Sequence, residues 1–195
     1  MLMTRIFLVF CRRYKYLKNS IVLSYSQTNM DTDLPKFKNS ILELYKTFHV
    51  CNRVFEYPMV FIFCGNMLDV LICLNFYIYY YVNDSVNIEN VLLIVPDVAL
   101  TSLGLINLVI LVTACNNVEV NAHDFITTCY ILQDDMPNSQ IRLELFYLAN
   151  YAEKIKPKFS AAGFFFVNKL ILGSFFSAIT SYLIICIQFR SSEKL

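Results

Sequence analysis

An all-α, polytopic membrane protein with three transmembrane helices is the fold class this sequence predicts. Three features carry the prediction. Of 195 residues, 57% are hydrophobic and only 16% are charged, against about 25% charged in soluble domains. The apolar residues gather in three long runs, and basic residues flank those runs unequally. A net charge of +1 excludes a field able to hold nucleic acid. The Phe and Tyr content excludes disorder. Membrane lipid is therefore an expected partner, and nucleic acid is not.

The elements follow in order along the chain. Residues 1–56 read as a cytoplasmic, amphipathic helical segment. Within it Ile6 to Cys11 is too short for a span. Arg12, Arg13, Lys15 and Lys18 come after it, the wrong order for a cleavable signal. A second amphipathic stretch, Leu34 to Arg53, leads into the first run, residues 57–82, whose only charge is Asp69. Tyr77, Tyr79, Tyr80 and Tyr81 cluster at its far end, as an interfacial aromatic belt does. Residues 83–90 form a short outer loop; its sequon, Asn83-Asp84-Ser85, is read as an unmodified turn. The second run is 91–115, with Asp97 its only charge. Pro96 suits a first helical turn and Asp97 the positive end of the dipole, so the helix can also begin there. Residues 116–158 are a cytoplasmic connection interrupted at Met136-Pro137-Asn138-Ser139. The third run, 159–189, contains Lys169 as its only charge, and 190–195 is a tail. Each run exceeds the roughly 20 residues that a helix needs to cross a hydrocarbon core of about 30 Å.

Basic residues mark the cytoplasmic side. Arg5, Arg12, Arg13, Lys15, Lys18, Lys36, Lys38, Lys46 and Arg53 precede the first run, whereas 83–90 holds none. Arg142, Lys154, Lys156 and Lys158 lie in the long connection, and only Arg190 and Lys194 follow the third run. The amino-terminal segment and the long connection are thus predicted inside, and the carboxyl terminus extracellular.

Little in the chain suggests catalysis. Cysteines 11, 51, 64, 73, 115, 129 and 186 are scattered and read as reduced thiols. His49 and His123 lack ligand-spaced partners. No phosphate loop, serine elbow or paired carboxylate motif appears, so no enzyme activity, metal or cofactor is expected.

Four features remain. In the connection, Ile141, Leu145, Leu148, Ala152 and Ile155 recur at helical spacing; this stripe packs either on the chain's own helices or on another subunit. Asp69 lies mid-span, where a carboxylate costs about 2.5–3.5 kcal/mol on insertion scales. It is read either as bonded to Asn66, Asn75 or another helix, or as a ligand or ion contact. In the third run, with Ser174 at zero, Ser177, Ser181, Ile185 and Gln188 fall at about 300°, 340°, 20° and 320°. Such a face can line an aqueous path with Ile185 as a constriction, or form a close helix contact, which its small residues suit better on composition alone. Lys169 lies off this face, beside Asn168 and Gly173, and the three predict a break in the helix around 168–173.

The run Ser181-Tyr182-Leu183-Ile184-Ile185-Cys186-Ile187-Gln188-Phe189 resembles the signature of insect gustatory receptors: Thr-Tyr, five apolar residues, then Gln-Phe. Ser181, Tyr182, Gln188 and Phe189 carry the match, with Ser181 standing where the family has Thr. Phe159 to Asn168 is similar to the family's approach to its last helix, with Ala162 in place of its Cys. The resemblance implies that these are the last three helices of a seven-span receptor-channel fold, in the plasma membrane, with the carboxyl terminus extracellular. It implies a taste chemoreceptor that is a subunit of a ligand-gated cation channel, a homo- or hetero-tetramer opened by a small-molecule tastant. Ser174, Ser177, Ser181, Ile185 and Gln188 would line the pore, and the Ile141–Ile155 stripe would mediate assembly. The family's first four spans have no counterpart here, so a fragment is expected. The alternative is a three-span accessory or scaffold protein without a pore.

Overall fold

The computed structural model describes the backbone of residues 2–27, 30–82 and 88–192, and side chains outside 79–94 and 190–195. The sequon, Tyr79, Tyr80, Tyr81, Arg190 and Lys194 fall outside the described side chains. Among the described residues, five helices and one small hairpin follow in the order α1 (Leu2–Ser26), α2 (Met30–Val82), α3 (Ile88–Asp135), α4 (Ser139–Lys154), β1 (Ser160–Ala161), β2 (Phe165–Phe166) and α5 (Lys169–Ser192). Stretches of α2, α3 and α5 are long and apolar enough to cross a membrane. The chain is an all-α polytopic membrane protein.

The helices are longer than the apolar runs. The amphipathic stretch 34–53 and the first run join in one 53-residue helix, α2, about 80 Å long at 1.5 Å per residue. The second run continues without interruption to Asp135 in α3. Each therefore extends well beyond a bilayer core of about 30 Å. The extensions pack with α1 and α4 into a bundle at one end of the molecule.

Two apolar clusters hold that bundle together. At its far end Leu17 and Ile21 of α1, Leu34, Phe37 and Ile41 of α2, and Phe125, Ile126 and Cys129 of α3 enclose Leu145, Leu148, Ala149 and Ala152 of α4. Nearer the spanning region, Phe7, Phe10 and Cys11 of α1 pack with Phe48, Met59, Phe63, Val112, Cys115 and Val118, and with Phe159, Ala161 and Val167 around the hairpin. Pro137 precedes the start of α4, where the Asn138 side chain accepts the Gln140 N–H at 3.0 Å. An Asx cap of this kind satisfies a donor that the helix cannot.

The apolar run 159–189 is not one helix, which corrects the sequence reading. Residues 160–166 fold back as a two-stranded antiparallel hairpin, with Ser160 opposite Phe166 and Ala161 opposite Phe165. Residues 162–164 form its loop, in which Ala162 and Gly163 have φ of 49° and 77° and Phe164 N–H donates to Ala161 O at 2.9 Å. Positive φ at these two residues is the pattern of the type I′ turn, whose twist suits paired strands. The helix starts only at Lys169, where Asn168 Oδ1 accepts the Leu170 N–H at 3.0 Å. Lys169 is thus an exposed first-turn residue rather than a charge inside a span. The predicted break is a cap, and Gly173 lies within continuous helix.

Candidate functional site

The two sides of α5 differ. Phe175 is buried, and Ile171, Leu172 and Ile179 pack beside it against the cluster shared by α2 and α3. Further along the same side, Tyr182 Oη accepts a hydrogen bond from Asn75 Nδ2 at 2.9 Å, and Cys186 Sγ lies 3.9 Å from Asn75 Oδ1. Ser174, Ser177, Ser181, Ile185 and Gln188 are all exposed, centred about 130° around the helix from that packed side. The structure therefore keeps the five together on one exposed face, distinct from the packed side of the helix. Of the motif residues, Tyr182 faces inward, whereas Ser181, Gln188 and Phe189 face outward.

Within this face the Ser181 hydroxyl donates to the Ser177 carbonyl at 3.0 Å, and off it the Thr180 hydroxyl donates to the Phe176 carbonyl at 2.9 Å. Back-bonding of this kind uses the hydroxyl proton inside the helix. Only 6% of the most apolar stretch of α5 is buried within the chain. The described residues leave the rest of that stretch uncovered.

Asp69 does not bond to either asparagine named for it. Asn66 Nδ2 donates to its own helix at Ile62 O, 2.7 Å away, and Asn75 is held by Tyr182. Asp69 is exposed and borders an open cleft between α2 and α3, of about 270 Å³, with Ile72, Cys73, Phe76, Asp97, Leu100 and Thr101. The two charges of the first two apolar runs thus border one hollow. The helices approach closely beside it: a methyl group at Gly104 would lie 2.5 Å from Asn66 Oδ1.

The α4 stripe is spent inside the chain. Leu145 has 0% exposure, Leu148 and Ala152 are buried, and Ile141 and Ile155 pack at the cluster's edge. These side chains are not free for another subunit, which corrects the assembly assignment made by resemblance. The opposite face, with Leu143, Phe146 and Tyr147, is exposed. The α3–α4 contact also has polar support, since the Tyr130 hydroxyl lies 3.0 Å from both Asn150 Oδ1 and Glu153 Oε2.

Sequence reasoning missed the hairpin as a joint. Phe159 packs against Phe7 and Phe48, with ring centroids 4.6 and 4.8 Å away. Phe165 meets Phe63 at 5.0 Å, and Ser160 N–H donates to Asn52 Oδ1 at 3.3 Å. The segment entering α5 is thereby tied to α1 and to the middle of α2. Aromatic, strand-favouring residues after Ala162-Gly163 were the available signal.

Comparison with known proteins follows the same lines. The family described as 7tm Chemosensory receptor matches residues 6–193. A curated Drosophila melanogaster protein, "Putative gustatory receptor 98a", is 33% identical over 85 residues. That stretch is 44% of this chain and 22% of the relative, so the match covers less than a quarter of the curated protein.

Proposed function

The chain belongs to the 7tm chemosensory receptor family, and on that ground we propose that it acts as a taste receptor, a subunit of a ligand-gated cation channel in the plasma membrane. The observation that carries the channel reading is the outward face of α5. Three serines, Ile185 and Gln188 lie along one exposed side of a spanning helix, and the serines and Ile185 stand outside the packed clusters of the chain. Exposed hydroxyls on Ser177 and Ser181 favour hydration and cations, and Ile185 is an apolar constriction among them. Four copies of this face around an axis make an aqueous path. Charge asymmetry supports a cytoplasmic bundle of α1 and α4 and an extracellular carboxyl terminus.

In this reading a tastant binds towards the outer side and shifts α2 and α3. The shift reaches α5 through Asn75 and Tyr182, and rotation of α5 moves Ile185 off the axis. The exposed face of α4, rather than its buried stripe, is then the cytoplasmic contact between subunits.

Cysteine accessibility tests the proposal without requiring a known tastant. Ser177→Cys and Ser181→Cys are expected to react with a membrane-impermeant thiosulfonate in intact membranes, while Phe176→Cys, on the side of α5 away from the stripe, is not. Absence of reaction at both serine positions overturns the pore. It favours the second reading, a scaffold whose small-residue face holds a partner helix. Where currents are recorded, Gln188→Ala or Ile185→Ala is expected to alter cation selectivity or resting leak.

A further inference from the structure

Beyond channel function, we propose that the hairpin preceding α5 is a membrane-interface anchor: its aromatic tip sits in the acyl boundary of one leaflet while Lys158 and Lys169 contact anionic lipid headgroups. The aromatic side chains of the hairpin divide between inside and outside: Phe164 lies in the turn, and Phe165 and Phe166 form the second strand, on opposite faces. Phe165 points inward to Phe63, so its neighbours point out. Phe164 is 77% exposed and Phe166 60%, and Leu170, in the first turn of α5, is 80% exposed. Large apolar side chains grouped in this way mark a surface that something covers.

Position and charge together identify the occupant. The patch lies where the spanning helix Lys169–Phe189 begins, the level at which a bilayer changes from hydrocarbon to headgroup. Lys158 and Lys169 are exposed beside it, and Lys158 shares a small hollow of about 180 Å³ with Phe166, Asn168 and Glu119. Aromatic rings at the boundary, with lysines reaching past them to phosphate, form the usual arrangement at membrane interfaces. On the orientation proposed above, this leaflet is the cytoplasmic one, which carries the anionic lipids. Because the hairpin is also packed on Phe7, Phe48 and Phe63, the anchor sets the depth of α5 and of the bundle together.

The chain contains no tryptophan, so Phe164→Trp introduces a single reporter. The protein is reconstituted into equimolar phosphatidylcholine–phosphatidylserine vesicles whose acyl chains are brominated near the headgroup. Emission from Phe164→Trp is expected to be quenched severalfold more by the brominated lipid than by aqueous acrylamide, with the reverse order for Tyr16→Trp on α1, an exposed position of the bundle. Adding Lys158→Gln and Lys169→Gln should reduce the lipid quenching to its level in phosphatidylcholine alone. Leu170→Trp serves as a second reporter if the first variant does not fold. Quenching by acrylamide and not by lipid overturns the proposal, because the hairpin then faces water. Protection from both quenchers also overturns it, because a second copy or another segment then covers the tip. Lipid quenching that ignores both lysines and headgroup charge removes the anionic specificity.

Discussion

Asn75 of α2 donates its side-chain amide to the Tyr182 hydroxyl of α5 across 2.9 Å, within the spanning region. Away from water, such a bond has no solvent competitor, yet the unfolded chain in lipid also finds partners. Its net worth is therefore modest, about 0.6 kcal/mol on average in double-mutant cycles. Tyr182→Phe and Asn75→Leu should each lower thermal stability in detergent, and the double variant should show a coupling of about that size. Strictly additive effects would mean that the two side chains do not meet.

Gly104 leaves room for Asn66. A methyl there would meet Asn66 Oδ1 at 2.5 Å, forcing the amide to turn and give up its 2.7 Å bond to Ile62 O. Overpacking of about 1–3 kcal/mol is offset by about 1 kcal/mol of helix propensity gained at this position in α3, so Gly104→Ala should destabilise by up to about 2 kcal/mol. Asn66→Ala in the same background should recover most of the loss. Failure of that rescue in thermal melts would place the cost elsewhere in the α2–α3 contact.

At Ala162 the backbone has φ 49°, a conformation that costs an L-residue with a Cβ roughly 1–2 kcal/mol. Part of that is returned to the unfolded chain when glycine replaces it. Ala162→Gly is expected to raise stability by up to about 1 kcal/mol, and Gly163→Ala, at φ 77°, to lower it. The reverse order of melting midpoints would contradict the turn.

Tyr14 is buried in α1, and burial pushes its hydroxyl well above the ordinary value of 10.0. The folded state thus keeps its proton where the unfolded state releases it. The associated stability is complete below about pH 10 and declines above it as the unfolded chain ionises. Melting midpoints should fall on the alkaline side, and Tyr14→Phe should flatten that fall. Cys11 is raised mainly by the same desolvation, with Asn121 and Lys15 opposing. Its maleimide labelling at neutral pH should be slow until the protein is unfolded.

Much of this architecture was legible in the residues, for identifiable reasons. Runs of apolar residues with one charge each report helices that lipid surrounds. They do not report where a helix continues into water, because the amphipathic pattern of 34–53 and the uniform pattern of 57–82 meet without a breaker strong enough to end α2. Pro58 lies at that junction inside the helix. The hairpin was hidden because Phe164, Phe165 and Phe166 are apolar under either reading, and only the positive φ at Ala162 and Gly163 separates strand from span. Periodicity placed Ser174, Ser177, Ser181, Ile185 and Gln188 on one face, but the direction of that face depends on Phe175 and Tyr182 finding α2 and α3. For α4 the opposite held. Leu145 and Leu148 were evidently to be buried, yet a stripe records that it is covered and not by what.

The unbroken length of α2 has a mechanical consequence. A rigid rod of about 80 Å that tilts by about 3° carries one end past the other by about 4 Å. Pro58 removes one backbone hydrogen bond near the middle, and Phe63 and Asn52 clamp the rod on either side of that point. The helix is thus a lever with its fulcrum beside the hairpin. A tilt of its outer arm would therefore load the packing of Met30, Leu34 and Phe37 against α1, α3 and α4 directly.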